Sequence, residues 1–99
     1  MEKEKQDLIQ LVRALCKKHL NFGDEFAVVT VYSDLEVIPP SDFESFPSEE
    51  DLKSKMDKLN QALKNETDQI FKIGGYGHNF SINDNNTVKL SYFTVVVNQ

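Results

Sequence analysis

Tryptophan is missing from this chain of 99 residues, cysteine and arginine occur once each, and proline occurs three times. A single cysteine, Cys16, cannot close an intramolecular disulfide, which excludes a disulfide scaffold and fits a reducing compartment. A single arginine, Arg13, leaves little capacity for bidentate reading of guanine or phosphate. Sixteen acidic residues against eleven basic ones give a net charge of −5, and such a surface repels a phosphate backbone. No direct nucleic-acid binding is expected. No apolar run approaches the ~20 residues that cross a bilayer, so no membrane association is expected. The opening Met-Glu-Lys-Glu-Lys-Gln-Asp holds no apolar core of a secretory signal. The reading is therefore cytoplasmic, in the protein's own cell or in a host cell. Sequons at Asn65, Asn79 and Asn85 then stay unmodified.

What remains is an ordinary globular composition, 39% hydrophobic and 27% charged, in a chain long enough for one domain spanning 1–99. Residues 2–20 predict an amphipathic helix. Leu8, Leu11, Val12 and Leu15 fall on one stripe that Ile9 and Cys16 widen, and Lys17, Lys18 and His19 suit the negative end of its dipole. Asn21-Phe22-Gly23 ends it, with Gly23 free to turn left-handed. Residues 26–32, Phe-Ala-Val-Val-Thr-Val-Tyr, are β-branched and aromatic with little alternation, as in a strand covered on both faces. Ser33-Asp34 either turns the chain into a short partner at 35–38 or lies within one bent strand. Pro39-Pro40 ends any pairing.

A second helix opens with a capping signal, Ser48 followed by Glu49, Glu50 and Asp51. Leu52, Met56, Leu59 and Leu63 repeat at helical spacing, and Asn65 marks a plausible end. Residues 69–73 predict another strand, which the glycines after it break or bend. The last quarter reads as a β-hairpin. Phe80 and Ile82 alternate in its first arm, Asp84-Asn85-Asn86 reverses the chain, and Val88, Leu90, Tyr92 and Val96 share one face of the second arm. Phe93, Val95 and Val97 then fall on the opposite face. The predicted fold is α+β, with two helices packed on one face of a mostly antiparallel sheet of four or five strands.

The uncharged run Thr94-Val95-Val96-Val97 must be hidden in a soluble protein. The expectation is a central strand between the 26–32 strand and its own hairpin arm, or a strand paired across a two-fold axis. Helices cover one sheet face only, so Phe93, Val95 and Val97 need cover from Phe43 and Phe46 or from a second subunit. The second option makes the protein a homodimer.

Two segments carry candidate sites. In residues 41–51 the acids Asp42, Glu44, Glu49, Glu50 and Asp51 surround Phe43 and Phe46, which no periodic pattern buries. Aromatic anchors ringed by charge suit a binding surface for a basic protein. The alternative tucks both rings under the sheet while the acids only cap the helix. Gly74-Gly75-Tyr76-Gly77-His78 could let main-chain amides approach an anion while His78 adds a proton. Its structural reading is a glycine bulge or wide turn, because a phosphate cradle opens a helix and a strand follows here.

Other groupings are thinner. Cys16 and His19 share one helix, yet Cys16 extends the apolar stripe, and two histidines with one cysteine leave no spare metal ligand. Asp24, Glu25 and Glu36 read as charge decorating a loop and a sheet edge. In size, acidity and α+β character the chain resembles phage-encoded inhibitors and toxin-immunity proteins, a likeness of composition that carries over no functional residue. The expectation is a non-enzymatic protein without cofactor or metal that binds a basic protein partner, as an inhibitor, an immunity-like protein or an accessory subunit does. The alternative is a small enzyme or ligand-binding domain with its site at the glycine turn.

Overall fold

The computed structural model describes residues 2–40, 46–81 and 87–98, and their side chains except at 2–5, 80 and 81. In chain order the elements are α1 (Glu2–Leu20), β1 (Ala27–Val31), β2 (Asp34–Ile38), α2 (Glu49–Glu66), β3 (Phe71–Ser81) and β4 (Thr87–Val97). The strands form one sheet in the order β1-β2-β4-β3, every neighbouring pair antiparallel. The class is α+β. Helix α2 lies on β3 and β4, and α1 packs against α2. Val12, Leu15 and Cys16 of α1 meet Leu59 and Leu63 of α2 above Phe93 and Val95, around a void of only about 10 Å³.

Helix ends follow local chemistry. At the end of α1 it is Asn21 that turns left-handed (φ 57°), while no glycine has positive φ, so Gly23 is not the stop. Asparagine tolerates that region because its short side chain can bond locally. The Phe22 ring then meets Phe26 edge-on at 5.1 Å, and the Arg13 guanidinium sits 4.4 Å above the Phe26 ring centre. Helix α2 begins as its sequence implies. The Asp51 amide donates to the Ser48 hydroxyl at 3.2 Å, and that hydroxyl donates to the Asp51 carboxylate at 3.0 Å. Its end comes after Asn65. Thr67 gives both its amide (3.1 Å) and its hydroxyl (2.8 Å) to the Leu63 carbonyl, and Asp68 and Gln69 follow at positive φ.

The strands depart from the sequence reading in three ways. The β1–β2 hairpin turns at Tyr32-Ser33, with Val31 opposite Asp34, so the bent-strand option falls away. Tyr32 takes φ 57° there and is almost wholly exposed. Strand β1 is not covered on both faces. It is an edge strand, exposed along most of its length, because the helices sit over the far half of the sheet. The neighbour of β4 on that side is β2, with Leu35 opposite Val95 and Val37 opposite Phe93.

Third, two bulges reset which side chains face inward. Between Ile73↔Val95 and Tyr76↔Phe93, β3 spends Gly74 and Gly75 against Thr94 alone. Between Gly77↔Tyr92 and His78↔Leu90, β4 spends Ser91 against nothing. An extra residue reverses the alternation beyond it. Val88 and Leu90 are therefore buried, and so are Phe93 and Val95, whereas Tyr92 faces outward and Val97 is half exposed at the strand end. The assignment of Tyr92 and Val96 to the face of Val88 and Leu90 is corrected, as is that of Phe93 and Val95 to the opposite face. Strand β3 also runs unbroken through the glycines, so one strand replaces two. The expected turn at Asp84-Asn85-Asn86, and Ile82 before it, lie outside the described residues.

Candidate functional site: a groove at the start of the second helix

Phe46 and Val88 exchange main-chain hydrogen bonds of 2.7 and 2.8 Å, so the loop before α2 lies beside β4, in line with β2. Its ring is half buried against the core on the helix side, where Val88 also faces, and so it gives no cover to the outer face of the sheet. Two residues later the Ser48 cap starts α2, which fixes Glu49 and Glu50 in its first turn. Those carboxylates sit where the free amides and dipole of a helix start favour negative charge.

The opposite wall comes from β3. Because the Gly74-Gly75 bulge reverses the alternation, Tyr76 and His78 fall on the helix side instead of facing outward. His78 Nε2 then lies 2.8 Å from Glu49 Oε1. The Tyr76 and His78 rings stand 6.3 Å apart at a tilt of 44°. Between the two elements runs an open groove of about 280 Å³ lined by Glu49, Glu50, Leu52, Lys53, Tyr76 and His78. Four residues from the two sequence candidates thus meet in one place: Glu49 and Glu50 from the acidic segment, Tyr76 and His78 from the glycine segment. Residues 49 and 78 stand 29 apart in sequence, and only the bulge and the Phe46–Val88 bridge bring them together.

The glycines themselves are elsewhere. Gly74 and Gly77 belong to the outer face, where they make room for cross-strand neighbours. A Cβ on Gly74 would come within 2.8 Å of both Thr94 Oγ1 and Val96 Cγ1, and one on Gly77 would run into the Tyr92 ring. The Gly75 amide donates to Thr94 Oγ1 at 3.1 Å, so it is engaged within the sheet. The structure separates Gly74 and Gly75 from Tyr76 and His78. Asp42, Phe43 and Glu44 lie outside the described residues.

Chemically the groove offers two carboxylates, one imidazole, one phenol and the Lys53 ammonium beside an apolar floor at Leu52, so acids outnumber the one lysine. It suits a cationic group. Histidine held by a carboxylate is half of a nucleophile-activating arrangement, but no serine, threonine or cysteine is among the lining residues. Cys16 is fully buried among Leu59, Leu63, Phe93 and Val95, where desolvation pushes its thiol up to about 12 against an opposing pull from Arg13. Asp24 is held below the usual carboxylate range by the Lys17 ammonium, which bonds to it, and Glu36 faces Val29 and Thr94 across the sheet. Among the described residues no three His, Cys, Asp or Glu side chains converge as a metal site would need. What sequence reasoning missed are Leu52, read only as core, and Lys53. No family pattern, curated protein or solved structure matches this chain.

Proposed function

We propose that the protein works without catalysis, by binding a basic protein partner, in the manner of an inhibitor or accessory subunit. The observation that carries this reading is the placement of Glu49 and Glu50 at an open groove walled by Tyr76 and His78. Its volume lies below the range of roughly 300–1,000 Å³ usual for small-molecule sites, and its open side suits a lysine or arginine side chain of a partner. Tyr76 offers an aromatic wall to the alkyl part of such a side chain. The wider charge distribution agrees. Between Lys18 and Lys53 the chain carries nine acidic residues and no lysine or arginine. A one-signed stretch of this kind raises the encounter rate with a cationic surface and makes it salt-dependent.

The test begins with a pull-down from the native cell, with partners identified by mass spectrometry. Reversal of both groove acids (Glu49→Lys with Glu50→Lys) should then slow association with that partner by tenfold or more at low salt and flatten its salt dependence. Reversal of the exposed Asp57 and Glu66, which lie on α2 away from the groove, changes net charge equally and should cost much less. Equal losses in the two pairs, or none in either, would remove the groove as the binding surface.

A second reading, a small enzyme or ligand-binding site, is favoured by the 2.8 Å contact between His78 and Glu49, the kind of geometry that orients a general base. Under that reading His78→Gln abolishes turnover of a small substrate and leaves protein binding intact.

A further inference from the structure

The two edges of the sheet are finished differently. On β3 the amides of Phe71 and Ile73 point away from β4, and α2 and its cap take both: Phe71 donates to Oγ1 of the cap residue Thr67 at 3.1 Å and Ile73 to Asn60 Oδ1 at 2.7 Å. Lys72 and the glycine bulge break that edge further. Strand β1 has none of these devices. Its five residues, Ala-Val-Val-Thr-Val, are uncharged and free of proline, and the ladder to β2 is regular. A two-residue loop is closed by a hydrogen-bonded pair, here Val31 and Asp34, and the pattern alternates from there. Val29 and Ala27 therefore bond to β2, while the main-chain groups of Val28 and Thr30 face outward. The next carbonyl in that outward row, Phe26, is taken by the Arg13 guanidinium at 3.3 Å. Among the described residues nothing bonds to the outward groups of Val28 and Thr30.

We propose that this free edge receives an extended lysine- or arginine-bearing segment of the partner protein as a fifth strand. Strand addition supplies main-chain hydrogen bonds, here to the two donors and two acceptors of Val28 and Thr30. Charge selects the occupant. Around the edge stand Glu25 before β1, and Asp34 and Glu36 on the adjoining strand, within a stretch that carries no lysine or arginine between Lys18 and Lys53, and Arg13 reaches only the Phe26 end. Side chains of an added strand on the outer face would lie against Val29 and Val31, both more than a third exposed, with Glu36 opposite Val29 on β2. A second copy of this chain fits less well, because pairing β1 with itself brings two acid-only hairpins together. This inference rests on the reading of a basic partner and adds a second contact remote from the groove.

The probe is a blocked synthetic peptide of alternating lysine and valine, with an alternating glutamate and valine peptide as its counterpart. Amide exchange is followed residue by residue by NMR in the full chain. The lysine peptide should slow exchange at Val28 and Thr30 by tenfold or more, and the glutamate peptide should leave both unchanged. Thr30→Pro removes an outward donor without touching the β2 ladder, so it should weaken the lysine peptide at least tenfold while the Val29 amide stays protected. If Thr30→Pro unfolds the hairpin, Val28→Pro makes the same comparison. Equal protection by both peptides, or undiminished binding in the proline variant, overturns the inference. So does protection of Val28 and Thr30 that grows with protein concentration alone, since the occupant is then a second copy. Peptide binding lost on reversal of Glu49 and Glu50 but kept in Thr30→Pro overturns the edge and leaves the groove standing. The opposite pattern supports the edge as a contact separate from the groove, whose own test is the partner protein's response to reversal of Glu49 and Glu50.

Discussion

Burial decides what Cys16 can do. With no exposed surface, it has its thiol packed between Leu15 and the leucines of α2, and ionising it there means placing an unpaired charge in hydrocarbon. The folded thiol is therefore pushed up to about 12 from an ordinary value of 9.0. A thiol whose pKa is raised by desolvation costs nothing while it is neutral in both states, and costs stability as pH climbs from the unfolded pKa to the folded one. Below about pH 8 the thiol is neutral in both states and has no effect. From pH 9 towards 12 the unfolded chain releases a proton that the folded chain keeps, so unfolding becomes easier by up to about 1.4 kcal/mol per pH unit. Cys16→Ala should cost about 1 kcal/mol near neutrality through lost packing. Its deficit against the parent should shrink between pH 9 and 11, because the variant lacks the titrating group. Urea denaturation of both proteins across that range measures the difference, and a constant gap would mean that the thiol is not desolvated.

At the scale of elements, the helices were legible and the sheet was only partly so. Leu52, Met56, Leu59 and Leu63 repeat so regularly that the buried face of α2 follows from spacing alone, and Ser48 marks its start. Strand faces have period two, so a single bulged residue exchanges them, and nothing in Ser91 or its neighbours announces one. That is why Tyr92 was placed inward and Phe93 outward. The groove was hidden for a related reason: Tyr76 and His78 reach the helix side only through the extra glycine in β3. Residue types pointed to Glu49, Glu50 and His78 separately, but contact between them is a product of topology. The parity change is open to a direct comparison. Val95→Lys places a charge in the core beneath α1 and α2 and should cost about 3 kcal/mol or more, enough to unfold much of a domain this small. Val96→Lys puts the same group on the outer face and should cost about 1 kcal/mol or less. Thermal melts of the two variants decide it, and a reversed order would restore the uninterrupted alternation.

For the whole molecule the question is whether one copy suffices. The sequence leaves Phe93, Val95 and Val97 to be covered by Phe43 and Phe46 or by a second subunit, but the chain's own helices bury Phe93 and Val95, so these two residues give no reason for a dimer. What stays open is the outer sheet face, where Val29, Val31, Ile38 and Tyr92 are each about two-fifths exposed. Two strands of five residues and two of eleven, at about 3.4 Å per residue and about 4.8 Å between strands, present only ~500 Å² in projection. A stable interface takes about 800 Å² from each partner, so face-to-face pairing of two such sheets falls short. It would also turn Glu36, which faces the same way as Val29, towards an apolar surface, at a desolvation cost. The apolar patch is better placed to extend a contact made at the adjoining β1 edge than to hold two copies together. Sedimentation equilibrium at micromolar concentration should therefore return the monomer mass of 11.3 kDa, unchanged by Ile38→Lys on the open face. A doubled mass that Ile38→Lys reduces to the monomer would show that this face, despite its size, is a subunit interface, and the open surface left for a partner would then be the groove and the free edge alone.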